Sequence, residues 1–234
     1  NGMEPKCGGT IINRFYILTA AHCIVNINLT LAGVRVGEHN LSTKKDCDFA
    51  TNFCSPPVQD LLAENVVVHS DYKSKTFEND IALIKLATPI NFSYENAQPI
   101  CLPMSKTAKY DLNNNFAVVT GWGVTESGFA SSELLKVSVP IIPYDQCQKI
   151  HKQYYTVTNK QICAGGFLGR DSCGGDSGGP LKYIVTEDGT SRYVQIGIVS
   201  YGPVDCGRQG YPGVYTNVIK YTKWILDNLR PPLA

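Results

Sequence analysis

Ser177 stands in Gly174-Gly175-Asp176-Ser177-Gly178-Gly179-Pro180, a serine set among glycines. Glycines let backbone approach a substrate closely and let amide N–H groups point at a developing oxyanion. A serine hydroxyl is a weak nucleophile until a neighbouring base takes its proton. The chain has four histidines, His22, His39, His69 and His151. His22 differs by its context, Leu18-Thr19-Ala20-Ala21-His22-Cys23, where an apolar run delivers the imidazole and a cysteine can pin it. A third group must orient that imidazole, and Asp80 opens the apolar stretch Ile81-Ala82-Leu83-Ile84. A carboxylate held against such a strand is desolvated and wants an N–H or cationic partner. Taken singly, each residue also has a plain structural reading: a glycine-rich turn, a satisfied or exposed imidazole, a strand-capping acid.

The elements that must position these groups are mostly strands. Short β-branched and aromatic runs recur at Thr10-Ile11-Ile12, Phe15 to Leu18, Val34-Arg35-Val36, Val66-Val67-Val68, Ile81 to Leu86, Phe116 to Thr120, Val137-Ser138-Val139 and Ile196 to Ser200. Asp188-Gly189 lies between Tyr183-Ile184-Val185 and Tyr193-Val194, a hairpin signal. Many short strands separated by turns predict an all-β barrel or sandwich. Helical spacing is scarce before Val218, Tyr221, Ile225 and Leu229, where a terminal helix is expected to stop at Pro231-Pro232. Cys47 to Pro57 reads as an exposed polar loop.

Bulk properties narrow the class. The 234 residues are 43% hydrophobic with formal net charge +1, enough for a sizeable core and without a basic stripe for nucleic acid or a membrane surface. The longest apolar run, around Phe15 to Val25, is interrupted by His22 and is too short to span a bilayer. The polar start, Asn1 to Lys6, is no signal peptide, so a secretory signal is expected to have been removed elsewhere. Nine dispersed cysteines without a CxxC pair argue for disulfides in an oxidising compartment and against zinc ribbons or thiol redox sites. Sequons at Asn28, Asn40 and Asn91 agree with secretion and are candidate glycosylation sites.

Thr19-Ala20-Ala21-His22-Cys23, then Asn79-Asp80-Ile81-Ala82-Leu83-Ile84-Lys85-Leu86, then the Ser177 string, in the order His, Asp, Ser, resemble the chymotrypsin family of serine peptidases. The resemblance runs along nearly the whole chain through Cys7-Gly8-Gly9-Thr10, Thr120-Gly121-Trp122-Gly123, Gln161-Ile162-Cys163-Ala164-Gly165, Pro212-Gly213-Val214-Tyr215-Thr216 and the Trp224 helix. It implies one protease domain over 1–234. Two antiparallel six-stranded β-barrels would occupy 1–110, with an amino-terminal strand segment missing, and 111–217, followed by a helix over 218–230. It implies Ser177 as nucleophile, His22 as general base and acid, Asp80 as its orienting acid, and the amides of Gly175 and Ser177 as the oxyanion hole. Asp171 falls at the base of the primary specificity pocket, with Ser172, Ser200, Tyr201, Gly202 and Gly213 around it, and Ser200 also matches the serine that supports the catalytic aspartate. A carboxylate at the end of a dry slot selects arginine or lysine.

The same resemblance pairs Cys7 with Cys23, Cys47 with Cys54, Cys147 with Cys163 and Cys173 with Cys206, leaving Cys101 over. The added Cys47–Cys54 pair and the spare Cys101 resemble arthropod clip-domain proteases. The expected protein is therefore a secreted enzyme of an extracellular zymogen cascade, immune, clotting-like or developmental. An upstream protease would activate it, a downstream zymogen would be its substrate, a serpin-type inhibitor would restrain it, and Cys101 would tether an amino-terminal clip-like module. Active family members begin with Ile/Val-Val-Gly-Gly, whose amino group pairs with the acid before the nucleophile, Asp176 here. That segment is not in Asn1 to Lys6 and is expected upstream of it. Catalysis needs no cofactor, but Gly37-Glu38-His39-Asn40 resembles the start of a calcium loop, with Glu38 and Asp46 offering carboxylates and Asn40 and Thr43 carbonyls. The alternative is a non-catalytic homologue acting as a binding scaffold. An intact His22, Asp80 and Ser177 argue against it. A zinc or thiol enzyme at His22-Cys23 lacks a second ligand cluster.

Overall fold

β-Branched and aromatic residues fit a pleated, half-buried surface, and glycine, proline and asparagine break it. The computed structural model describes residues 4–25, 30–48, 50–104 and 110–229. Among these, strands form at β1 (Thr10–Asn13), β2 (Tyr16–Thr19), β3 (Gly33–Val36), β4 (Cys47–Asp48), β5 (Phe53–Cys54), β6 (Gln59–Val68), β7 (Ala82–Leu86), β8 (Phe116–Gly121), β9 (Leu135–Ile142), β10 (Gln161–Ala164), β11 (Pro180–Glu187), β12 (Thr190–Tyr201) and β13 (Gly213–Asn217). The expected hairpin at Asp188-Gly189 joins β11 to β12, with both turn residues at positive φ, 49° and 75°.

The second half closes into a six-stranded antiparallel barrel ordered β10-β13-β12-β11-β8-β9. The first half departs from expectation. It is a five-stranded sheet ordered β1-β2-β7-β6-β3, a half-barrel in place of a closed six-stranded one. Closure would need β3 to pair back to the edge of β1. Ile100 occupies part of that edge, its amide donating to Ile11 O at 3.0 Å. The polar loop 47–57 carries the β4–β5 ribbon, closed by Cys47–Cys54.

The continuous apolar runs of β2 and β7 are explained by burial on both faces. Ile17, Ile84 and Leu86 point into the first half with Val36, Ile90 and Ala97. Tyr16, Leu18, Ile81 and Leu83 point the other way and pack on Ile198, Val218, Tyr221 and Ile225. That second cluster joins the sheet to the barrel and to the terminal helix. The barrel has its own filling, including Val119, Ile141, Leu181, Ile196 and Tyr215.

The terminal helix starts as a 3-10 turn at Val218–Tyr221 and continues as α2 (Thr222–Asn228), its buried stripe as expected. Leu229 is already extended, so the helix stops before the proline pair. A second helix, α1 (Tyr144–His151), has no counterpart in the expectations, because eight residues give too few periodic apolar positions. The four expected disulfides form and Cys101 is free and exposed. No helix among the described residues is long and apolar enough to cross a membrane.

Candidate active site

Asp80 lies two residues before β7 with 0% exposure, so its charge must be met by protein groups. Oδ1 accepts the His22 amide at 2.9 Å, and Oδ2 faces His22 Nδ1 at 2.8 Å. Ser200 Oγ, from β12, donates to Oδ2 at 2.5 Å, and Thr216 Oγ1, from β13, donates to the Asp80 carbonyl at 2.7 Å. His22 sits in a 3-10 turn over Ala21–Cys23, beside the fully buried Ala20 and Ala21. With Nδ1–H given to Asp80, Nε2 is left as the acceptor. The ring is 20% exposed and meets Phe77 edge-on at 5.8 Å.

Ser177 is carried to the same place by backbone. The Gly8 amide donates to Ser177 O at 2.7 Å, and the Gly178 amide donates to Val199 O at 2.9 Å. Gly8 follows Cys7, whose disulfide to Cys23 adjoins His22. Gly178 has φ +77°, and a Cβ there would fall 2.5 Å from Gly8 O and against Thr19 Oγ1, so only glycine allows this approach. Among the described residues, the amides of Gly174, Gly175 and Ser177 donate to no protein acceptor, whereas those of Cys173, Asp176 and Gly179 are engaged. Three unspent donors thus surround Ser177. Ser177 Oγ and His22 Nε2 share no hydrogen bond among the described residues, a contact that commonly tightens only when substrate is bound.

Asp176 turns inward, accepting from Gly123 N and Cys173 N, each at 2.9 Å. Burial raises its pKa above the usual carboxylate range. Asp171 is also desolvated. Burial pushes its carboxyl up to about 6, opposed by backbone amides of Ser172, Gly207, Gly166 and Gly213. Ser172 N reaches Oδ1 at 2.9 Å, and Tyr215 OH holds Ser172 Oγ at 3.0 Å. A Cβ on Gly213 would fall 3.0 Å from Asp171 Oδ1 and 3.4 Å from Ser172 Oγ, so a side chain there would crowd the carboxylate. Gly202 lies against Gly213. The Tyr201 ring lies tilted against Phe77 at 5.1 Å and Tyr155 at 4.8 Å, an aromatic wall running from His22. Sequence reasoning missed Phe77, Tyr155 and Thr216. Phe77 is three residues before Asp80, but nothing local shows which side chains a loop presents.

The candidate calcium residues are only partly gathered. Glu38 Oε1 and Asp46 Oδ2 both accept the His39 amide at 3.0 Å, so two carboxylates converge. Glu38, with 5% of its side chain exposed, is also held by Arg35 at 3.2 Å. Asn40 O already accepts Thr43 N and Oγ1, and Thr43 Oγ1 binds Asp46. In the two ligand-like groups, Cys7, His22, Cys23 and Cys147, His151, Cys163, the cysteines are spent as the Cys7–Cys23 and Cys147–Cys163 disulfides. His69 stacks on Trp224, and His151 is buried with Nε2 on Pro212 O. Asn40 and Asn91 hold the hydroxyls of Ser42 and Ser93 in local turns, while Asn28 lies outside the described residues.

A family model described as Trypsin matches residues 1–225. The chain is 44% identical over 236 residues to Melanization protease 1 of Drosophila melanogaster, covering 96% of this chain and 58% of that protein. It is 42% identical over 232 residues to CLIP domain-containing serine protease HP8 of Bombyx mori, covering 96% and 62%. A crystal structure of the Drosophila Grass clip serine protease of the Toll pathway superposes with a TM-score of 0.81 at 39% identity, covering 95% of this chain and 63% of that one. The chain spans about three fifths of the length of these relatives.

The buried Asp171 makes stability depend on pH. It keeps its proton to about pH 6 when folded but only to 3.8 when unfolded, so the folded state loses stability as pH rises through that window. Asp171→Asn is therefore expected to raise the melting temperature at pH 8 by about 2–4 °C for each kcal/mol relieved, and by clearly less at pH 4. Equal gains at the two pH values, by calorimetry, would mean that Asp171 is not desolvated.

Proposed function

Because this chain belongs to the trypsin family, we propose that it is a serine endopeptidase that cleaves peptide bonds after arginine or lysine. The observation that carries the reading is the buried Asp80 carboxylate, bound to both the amide and Nδ1 of His22 beside the glycine-lined Ser177. Ser177 Oγ attacks the scissile carbonyl carbon while His22 Nε2 takes its proton. Asp80 keeps the proton on Nδ1 and stabilises the imidazolium. The negative oxygen that forms is received by the amides of Gly175 and Ser177, which are free to donate to it. When the C–N bond breaks, His22 Nε2–H protonates the leaving amine. Water, activated by the same imidazole, then releases the acyl group from Ser177. Members of the family need no cofactor for this chemistry.

Specificity rests on Asp171, a desolvated carboxylate held, among the described residues, by backbone amides. A guanidinium or ammonium on a long stem supplies its missing cation, with Ser172 as a second acceptor and Gly202, Gly213, Ser200 and Tyr201 as the walls. A neutral side chain would leave that carboxylate buried and unpaired.

The relatives' names, a melanization protease and a clip protease of the Toll pathway, support a place in an extracellular proteolytic cascade. On that reading the protein is secreted, acts on a downstream zymogen, is activated by another protease and is restrained by a serpin-type inhibitor. Asp176 would receive the new amino group that activation creates. Exposed Cys101 would bind a cysteine of an upstream clip-like module, since an accessible thiol does not stay reduced in an oxidising compartment. The converging Glu38 and Asp46 would hold a calcium ion that stiffens their loop, and Asn40 and Asn91 would carry glycans.

After activation, Ser177→Ala and His22→Ala should each lower kcat on a small arginine amide by about 10⁶-fold, and the double variant by little more. Losses that multiplied would separate the two residues mechanistically, and a wild type that cleaves after aromatic or small residues would remove Asp171 from the specificity role. Full-length activated protein should run as one band without reductant and two with it. Cys101→Ser should give two bands in both lanes, and a wild type already split without reductant would show that Cys101 tethers nothing. Calcium should raise the melting temperature by mass action, an effect lost in Glu38→Ala. Identical melting with calcium and with chelator would remove the ion.

A further inference from the structure

Asn79, immediately before Asp80, is 6% exposed and has φ +56°. Asparagine visits the left-handed region more readily than most residues, but the conformation persists only where the surroundings over-determine it. Here they do. Nδ2 donates to Asp71 O at 2.8 Å. Oδ1 accepts both Lys160 Nζ at 2.9 Å and Tyr221 OH at 2.9 Å. These partners come from three parts of the fold: the β6–β7 connection, the segment leading into β10 of the barrel, and the turn that opens the terminal helix. Tyr221 is itself 3% exposed and packed in the cluster that joins the two halves. Phe77, two residues earlier, is also left-handed (φ +53°) and lies between His22 and Tyr201. The chain therefore reaches Asp80 through a contorted segment whose shape is held from outside.

We propose that Asn79 is a positioning residue: its side-chain amide, clamped by Lys160 and Tyr221, sets the backbone from which the Asp80 carboxylate meets His22. Asp80 has little freedom of its own. Its two oxygens serve the amide and ring of His22, and its carbonyl is held by Thr216. A shift of the preceding residue must therefore be taken up in the Asp80–His22 contact. The clamp also explains why that contact depends on docking of the two halves, since Lys160 belongs to the barrel segment and Asp80 to the sheet. The kinetic part of the inference rests on the proposed endopeptidase reading.

The test uses the activated protein and two readouts. One is the downfield proton resonance of His22 Nδ1–H in its hydrogen bond to Asp80, which needs no turnover. The other is kcat and KM on an arginine amide across pH. Asn79→Ala and Asn79→Gly should both displace the resonance. Both should lower kcat by about 10- to 100-fold with KM little changed, the size of effect expected from misplacing a catalytic group by a fraction of an ångström to 1 Å. The acid limb of the rate profile should move to lower pH. Tyr221→Phe and Lys160→Met each remove one hydrogen bond, keep asparagine at position 79, and should give partial effects in the same direction. They serve if the Asn79 variants fail to fold. An unchanged resonance in the folded variants overturns the proposal whatever the rates. So does full recovery in Asn79→Gly, which would reduce the role of Asn79 to its backbone angle. A wild type without amidase activity would overturn the endopeptidase reading, while the resonance would still decide the role of Asn79.

Discussion

A carboxylate with no exposure to water costs several kcal/mol to bury unless the protein replaces its hydration, and Asp80 is such a group. Its replacement shell is drawn from the whole chain. The His22 amide and ring come from the turn after β2 and Ser200 from β12, while Thr216, from β13, holds the backbone carbonyl of the same residue. The carboxylate thus belongs to the first half, while Ser200 on its Oδ2 and Thr216 on the Asp80 carbonyl come from the second. Neither half satisfies it alone, so docking of sheet on barrel and formation of the site are one event. The apolar cluster of Leu18, Ile81, Leu83, Ile198, Val218, Tyr221 and Ile225 supplies the non-directional drive for that docking. The hydrogen bonds to Asp80 supply its register.

Two other buried acids contrast with Asp80. Asp171 and Asp176 accept backbone amides but have no cationic partner among the described residues, and burial raises the pKa of both. Amides can hold a carboxylate in place without cancelling its charge. Each acid can therefore accept a cation from outside its own segment: on the proposed function, a substrate side chain at Asp171 and the new amino group at Asp176. The two lie on either side of Cys173, whose bridge to Cys206 ties this loop to the one near Gly207. Specificity and activation would thus act on one short loop around the nucleophile.

That loop is stitched to a distant one. Leu41 N donates to Ser132 O, Leu134 N and Trp122 Nε1 donate to His39 O, and Ser131 N donates to Gly123 O. Gly123 N then reaches Asp176, and Val124 N reaches Gly174 O. A continuous run of hydrogen bonds therefore links the Glu38–Asp46 loop to the glycines around Ser177, so order in one favours order in the other.

The sequence by itself determined most of the strands, the terminal helix and the candidate site residues. Strand runs, the Asp188-Gly189 turn and the Val218–Ile225 stripe are short-range patterns, legible because side-chain period and turn chemistry are local. Ser177, His22, Asp80 and Asp171 were legible because their immediate neighbours, the glycines, Ala20-Ala21 and Cys173, form recognisable strings. The eight-residue α1 was not, because two turns leave almost no period to detect. Only the tertiary structure decided that the first half is a five-stranded sheet and not a closed barrel, since closure depends on which strand edges remain free after Ile100 meets Ile11. It alone brought Phe77, Tyr155 and Thr216 to the site and joined Asn79 to Lys160 and Tyr221, 81 and 142 residues away. Those contacts are set by how two halves dock. Docking depends on surfaces assembled from many segments, which no local pattern of residues encodes.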